Sequence, residues 1–422
     1  MRTYIVIDLK TFFASVECVD RGFDPFNTNL VVADPSRGNG AICLAISPAM
    51  KAQGIRNRCR IFEIPKNVKY ITAIPRMNLY IKYSAEVYGI YLKFISKEDI
   101  HPYSVDEAFL DVTNYLNMYN LSAEELAKKI MKTIYDETGI TATAGIGTNM
   151  YLAKIALDIT AKHVKGNIGY LNEDKYKKEL WYHQPITDFW QVGRGIAIRL
   201  SKYGVHNMYD VAHLDESILY KEFGVNAEFL IDHSKGIEPC TIKEIKSYKP
   251  KSNSISTSQI LFEDYNFEST RLVLKEMVDL GSLKLVDNKV VTNTIGLRIG
   301  YSKDRYKSTG GTRKIEVRTN VYSRLVKEFL ELFDNTTRTN VPIRQVGISF
   351  QNLESELYEQ YDIFVDSESV DNEKKLENTM NEIKKKFGKN SILRGMNLVD
   401  GATTIKRNKL VGGHNAETEE TK

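Results

Sequence analysis

Three carboxylates in two short apolar stretches are the residues of this chain best suited to chemistry. Asp106 and Glu107 stand side by side in YSVDEAFLDV, residues 103–112, and Asp8 closes the strand-forming run TYIVID, residues 3–8. Two strands that each deliver a carboxylate at one end can bring all three around one point. Hard divalent cations such as Mg²⁺ take oxygen ligands of this kind. Two such ions a few ångströms apart serve in-line phosphoryl transfer. A lone Asp-Glu pair is more often a solvated turn; the trio is read as a candidate catalytic metal site.

The elements that must hold these groups follow from pattern. After the first strand, Thr11 is expected to cap a helix through FFASVE. Residues 29–33 and 41–46 read as strands separated by the turn-rich DPSRGNG. SPAMKAQG, 47–54, reads as a short helix with Ser47 as cap, Pro48 at its first position and Gly54 at its end. IFEIP and YITAIP read as strand-like pieces. The periodicity over 76–97 predicts a long helix with Leu79, Ile81, Tyr88, Leu92 and Ile95 inward. Ser122 and Glu125 form a capping-box pattern before a helix to 136. ITATAGIGTN, 140–149, reads as a strand, and YLAKIALDITAKH as a helix. The mixture predicts an α+β layer with helices on one face.

From about 171 the pattern is helical. VGRG, containing Gly193 and Gly195, precedes a helical run, and such a turn can present backbone N–H groups to a DNA phosphate; an ordinary helix–helix turn is the plainer reading. KEIKSYKPKSNSIS, residues 243–256, reads as a linker, with the boundary between domains set at 241–252. Residues 253–353 read strand, helix, strand, strand, helix, strand. KDRYKSTGGTRK, between the middle strands, holds five Lys/Arg. The alternation around it predicts a positive sheet face carrying Arg298, Arg305, Lys307, Arg313, Lys314, Arg318 and Arg344, with apolar residues on the other face. Residues 354–373 hold eight acidic residues and no Lys/Arg. A helix is expected over 372–388, and the last stretch reads as tail.

Composition sets the bounds. With 422 residues, 42% hydrophobic and 27% charged, the chain fits a multidomain globular protein. Four scattered cysteines without a CxxC pair suggest neither a zinc site nor a disulfide framework, and fit a reducing compartment. There is no signal-peptide pattern and no transmembrane run, so a cytoplasmic protein is expected. Charge is uneven. Residues 241–350 hold 19 Lys/Arg against 12 Asp/Glu, a net of +7, whereas 351–422 hold 11 against 14, a net of −3. A basic middle segment suits a polyanion such as nucleic acid.

IDLKTFFASVE, SVDEAFLDV and AGIGTNMYLAKIALDITAKH, in that order, resemble the Y-family of DNA polymerases. Within that family they are similar to the UmuC/DinB-like enzymes, in particular the UvrX-like lesion-bypass group of Gram-positive bacteria. The resemblance covers essentially residues 1–415. It implies a right-handed architecture: palm and fingers over 1–170, with fingers at about 18–75; a helical thumb over 171–240; an α/β little finger over 253–353; and an acidic segment, short helix and tail over 354–422. It implies low-fidelity, template-directed nucleotidyl transfer past damaged template, with primer–template DNA and deoxynucleoside triphosphates as partners, an accessory subunit as a further candidate, and no membrane.

The same resemblance implies site roles. Asp8, Asp106, Glu107 and the Leu9 carbonyl would hold two Mg²⁺ ions. Phe13 would be the steric gate against a 2′-hydroxyl. Lys162 would neutralise the triphosphate, with Lys154 as the neighbouring candidate and a one-residue insertion in DITAKH. Glu17 and Asp111 are weaker ligand candidates. In the fingers the sequence departs from the family. Pro48 replaces a triphosphate-gripping tyrosine, while Lys51 keeps a basic position near Arg56, Arg58 and Arg60. QYDIF, with Gln360, Ile363 and Phe364, resembles the sliding-clamp pentapeptide. Two rivals are a non-catalytic DNA- or clamp-binding regulator and a palm-type cyclase. The intact acidic trio argues against the first, the thumb and basic module against the second.

Overall fold

The computed structural model describes residues 2–164, 166–250, 253–302, 306–356 and 367–417. The chain divides into two compact units, Met1–Tyr248 with the residues from Glu417 onward, and Lys249–Ala416.

In the first unit, strand β1 (Tyr4–Leu9) leads into helix α1 (Phe12–Asp20). A small three-stranded lobe follows, with β2 (Leu30–Val32), β3 (Ala45–Ile46), helix α2 (Pro48–Ala52) and β4 (Ile71–Ala73), in the order β3-β2-β4. Next come α3 (Met77–Tyr91), β5 (Ile100–Pro102), β6 (Glu107–Asp111), α4 (Tyr115–Tyr119), α5 (Ala123–Thr138), β7 (Ala142–Gly147), α6 (Met150–Ile155) and β8 (Ile168–Leu171). The main sheet runs β5-β6-β1-β7-β8, with β1 antiparallel to both neighbours. Helices α7 (Glu173–Leu180), α8 (Arg194–Ser201), α9 (Met208–His213), α10 (Glu216–Phe223), α11 (Ala227–Lys235) and α12 (Ile242–Ser247) complete the unit.

Strand alternation sorts β1 onto two faces. Ile5, Ile7 and Leu9 enter the large core with residues of α1, α3 and α5. Tyr4 and Val6 face the other way, packing with Phe109 of β6 and Met150 and Ala153 of α6. Asp8 belongs to this second set, and so lies on the side that α6 covers. That helix lies almost directly on β7 backbone. A Cβ built on Gly145 would stand 2.1 Å from the Ala153 carbonyl oxygen, and one on Gly147 would stand 2.2 Å from the Ala153 nitrogen. Bare backbone at both positions is what allows the approach.

Several expectations hold. Ser47 accepts a bond from Met50 N, with Pro48 in the first turn of α2. Ser122 and Glu125 form a reciprocal capping box. Others are corrected. Thr11 does not cap α1 through its side chain; it sits at φ 46°, and its hydroxyl pairs with Ser15 at 2.9 Å. Only Ala45–Ile46 of the second expected strand is regular, and IFE forms a 3₁₀ turn instead of a strand. Helix α3 ends at Tyr91, leaving Ile81 and Leu92 exposed. Residues 242–247 of the expected linker form α12, with Ile242 buried. The expected helix from 150 breaks into α6, a π turn over Ala156–Thr160 and a 3₁₀ turn over Ala161–His163. A π turn is wider than an α turn, and it overlaps DITAKH, where the resemblance implied a one-residue insertion in this chain.

The second unit has the expected order. It comprises β9 (Ile255–Tyr265), α13 (Phe267–Asp287), β10 (Val290–Tyr301), β11 (Thr309–Thr319), α14 (Tyr322–Thr336) and β12 (Ile343–Gln351), with sheet order β11-β10-β12-β9. Ile295, Leu297, Ile299, Val346, Ile348 and Phe350 form the helix-facing core. Short β13 (Glu354–Ser355) pairs with β10. Helix α15 (Ser367–Phe387), helix α16 (Thr404–Asn408) and the hairpin β14 (Leu410–Val411) and β15 (His414–Asn415) follow. The described part of the expected tail, residues 401–417, is therefore folded. Its anchor is polar: buried Glu276 of α13 accepts bonds from Asn397, Thr403 and Thr404.

Candidate active site

The register of β1 and β6 sets Asp8 opposite Glu107, and Leu9 N donates to the Asp106 carbonyl at 2.9 Å. The three carboxylates therefore meet at one end of two paired strands. Asp106 is held by its own turn, where Ser104 Oγ donates to Asp106 Oδ1 at 2.6 Å. Glu107 Oε2 accepts from Lys154 Nζ at 2.7 Å, and Lys154 also reaches Asp158 at 3.1 Å. Glu107 Oε1 is buried and has no hydrogen-bond partner among the described residues.

The electrostatics follow from this crowding. Burial, then the charges of Asp106 and Glu107, pushes the Asp8 carboxyl up to about 7, with Lys162 and Lys154 pulling the other way. Burial also raises Glu107 against the pull of Lys154. Burial disfavours the Lys154 charge, but Glu107 and Asp158 outweigh it and hold the ammonium above the ordinary lysine range. Among the described residues no three metal-ligating side chains already converge as a cage. The reason is visible: Ser104 and Lys154 hold two of the three carboxylates. The donor set nevertheless suits a hard cation. It offers three carboxylates, one with an orphaned buried oxygen, in a setting whose excess negative charge a cation would relieve.

The other expected positions divide. Phe13 stacks on Tyr80, with centroids 4.6 Å apart and planes at 19°. Tyr80 is fixed in turn by its hydroxyl, which donates to Glu17 at 2.6 Å, and Glu17 receives a bidentate pair from Arg76. Glu17 thus props the Phe13 platform. Asp111 accepts from Thr113 at 2.6 Å and lies 3.8 Å from Arg2. Both carboxylates are engaged away from the trio. Lys162 is exposed and pairs with Asp158 at 3.2 Å. Lys51 is exposed on α2 and lies within electrostatic range of Asp8. Arg56 lies 3.8 Å from Glu63, and Arg60 is tied to the Gly40 carbonyl at 2.6 Å.

Gly193 forms the N-cap of α8, and nothing crowds Gly193 or Gly195. On the second unit's sheet the expected positive face is thinner than alternation implied. Arg298 and Lys314 are exposed, as is Lys307 before β11. Arg313 instead pairs with Glu328 and Glu331 of α14, Arg318 with Glu354, and Arg344 with Asp264. Arg313 stands opposite Ile295 on the helix-facing side, the face that alternation denies to its neighbour Lys314, while Arg318 and Arg344 find acidic partners that alternation does not reveal. Arg305, Gln360, Ile363 and Phe364 lie outside the described residues. One site residue escaped the sequence reading altogether: Lys10, two residues past Asp8. Its position on the face shared with Asp8 was there to be read from strand alternation.

The sequence profile of the impB/mucB/samB family matches residues 7–158, and that of the family's C-terminal domain matches residues 252–363. The chain belongs to the impB/mucB/samB family. This is the UmuC/DinB-like Y-family group that the motifs resemble. A Bacillus subtilis protein named for UV-damage repair, UvrX, is 32% identical over 98% of this chain and 97% of its own length. A protein of Halalkalibacterium halodurans named DNA polymerase IV 2 is 27% identical over 98% of this chain and 99% of its own. Among solved structures, a Y-family DNA polymerase chimera of Dbh and Dpo4 shares the fold. Its TM-score is 0.64 at 20% identity, covering 84% of this chain and 99% of that one. Among the described residues no helix is long and apolar enough to cross a membrane.

Proposed function

We propose that the protein is a template-directed DNA polymerase whose Asp8, Asp106, Glu107 and Leu9 carbonyl hold two Mg²⁺ ions, and that it copies past damaged template. The observation that carries this reading is the end of the β1–β6 pair, where Asp8 faces Glu107 beside Asp106 and a buried carboxylate oxygen is left without a partner. When bound, the ions would lower the pKa of the primer 3′-hydroxyl and neutralise charge on the leaving pyrophosphate.

The chain's own groups do the rest. Ser104 and Lys154 engage Asp106 and Glu107 and would give them up to the ions. Phe13, backed by Tyr80, would offer a flat ring under the sugar and clash with a 2′-hydroxyl. Lys51 and Lys162 supply positive charge toward the triphosphate. In the terms of the family, the sheet with α1, α3 and α5 is the palm, the β3-β2-β4 lobe the fingers, and α7–α11 the thumb. The second unit is the little finger, and it would grip duplex phosphates through Arg298, Lys307 and Lys314, with Gly193 and Gly195 of the thumb adding backbone donors. Such contacts make binding salt-dependent. The segment Gln360–Phe364 would dock on a sliding clamp.

Primer extension with Mg²⁺, comparing wild type with Asp106→Ala, tests the reading. Extension by the wild type and none by the variant is expected. Equal extension by both would remove the metal-site assignment, and DNA binding without extension by the wild type would favour a regulatory role.

A further inference from the structure

Lysines crowd the carboxylates, and two of them are already taken. Lys154 pairs with Glu107 and Asp158, and Lys162 pairs with Asp158. Lys10 is different. Its backbone N–H donates to the Thr141 carbonyl at 2.8 Å, extending the β1–β7 ladder by one residue. Alternation then puts its side chain on the same sheet face as Asp8. The side chain is half-buried, and its ammonium donates to the Asn167 side-chain carbonyl. An ammonium has three donors, and among the described residues this neutral amide is the one hydrogen-bond partner of the Lys10 ammonium, with no carboxylate within ion-pair distance. Lys10 and Lys51 are close enough to repel each other, and Asp8 attracts both. A partly desolvated cation with no ion-pair partner among the described residues, beside a second cation, is an anion site waiting for its anion.

We propose that Lys10 grips the triphosphate of the incoming nucleotide, together with Lys51. It would supply from the strand end the contact that the fingers lose where Pro48 stands in place of a hydroxyl-bearing residue. Asn167 aims the ammonium: it sits at φ 58° in the turn before β8, and its carbonyl accepts from Ala144 N at 2.9 Å, so the turn is pinned to the sheet. Lys162, spent on Asp158, becomes the lesser contributor. The inference deepens the polymerase reading and rests on it.

The experiment uses the full-length protein as wild type, Lys10→Ala, Lys10→Arg and Asn167→Ala. Inorganic tripolyphosphate is titrated by calorimetry, KM and kcat for nucleotide are measured in primer extension, and thermal melts are recorded. Lys10→Ala is expected to weaken tripolyphosphate binding and raise KM by about tenfold, the size of one charge-assisted contact, with its melt unchanged. Lys10→Arg should recover binding to within about threefold, because the charge is retained. Asn167→Ala should weaken binding less than Lys10→Ala does. Unchanged tripolyphosphate affinity in Lys10→Ala overturns the proposal. So does an Asn167→Ala variant that reproduces the whole Lys10→Ala effect with a lowered melt, since Lys10 would then only brace the turn. A wild type that binds tripolyphosphate through Lys10 but extends no primer contradicts the polymerase reading and leaves the anion site standing.

Discussion

Two carboxylate clusters, one in each unit, are treated in opposite ways. In the second unit Glu276 is 1% exposed and accepts four hydrogen bonds, from Asn397 Nδ2, Thr403 N, Thr403 Oγ1 and Thr404 N. Asp279 nearby is paired with the Arg394 guanidinium. In the first unit Asp8 faces two other carboxylates, and Glu107 leaves an oxygen with no partner. A carboxylate whose lone pairs are filled by the fold holds a structure together. One left short of partners beside others of its charge carries a free-energy penalty, and a bound cation would relieve it. The first kind should matter for stability, the second for function.

The largest effect expected from this contrast is on activity. Asp106→Ala should lower extension by about a thousandfold or more, since several kcal/mol of transition-state stabilisation are lost, with little change in the thermal melt. Glu276→Ala should do the reverse. It removes the acceptor for two backbone N–H groups and destabilises the second unit by about 3 kcal/mol in urea titration, with a far smaller loss of extension at low temperature. If the two variants behaved alike in both assays, the contrast would collapse.

Glu377 sharpens the comparison, because it is a second-unit carboxylate of the incompletely satisfied kind. It is fully buried, with one oxygen unbonded, and burial pushes it up to about 7 despite the N–H of Tyr322. Its folded pKa lies above the ordinary 4.5, so the folded state prefers the protonated form. Stability from this group is therefore fully present below about pH 4.5 and is lost as pH rises to about 7. Glu377→Gln should stabilise the unit near neutral pH by on the order of 2 kcal/mol and flatten that part of the pH profile. A steeper profile in the variant would contradict the assignment. The smallest effect concerns Phe13→Ala, which should raise ribonucleotide incorporation by about tenfold relative to deoxyribonucleotide. Unchanged sugar selectivity would remove the gate role.

Most of this framework was legible in the sequence because it rests on local rules. The apolar strand runs placed Asp8 with Asp106 and Glu107, the capping box at Ser122 set a helix start, and the order of elements in the second unit followed from periodicity. What was not legible depended on partners distant in the chain. The fold of residues 390–416 hangs on Glu276, over a hundred positions away, so a stretch without apolar periodicity read as tail. Arg318 and Arg344 find acidic partners that alternation cannot reveal. The close seating of α6 on Gly145 and Gly147, which delivers Lys154 to Glu107, also needs the third dimension.

The central claim is that Asp8 is held at a cost that a cation removes. The direct measurement is the thermal melt of wild type and Asp8→Asn at pH 8, with and without Mg²⁺. Without Mg²⁺ the variant should melt about 4 °C higher or more, because a crowded charge is gone. With Mg²⁺ the wild type should rise and the variant should not. A variant that melts lower without the ion and responds to Mg²⁺ as the wild type does would contradict the account.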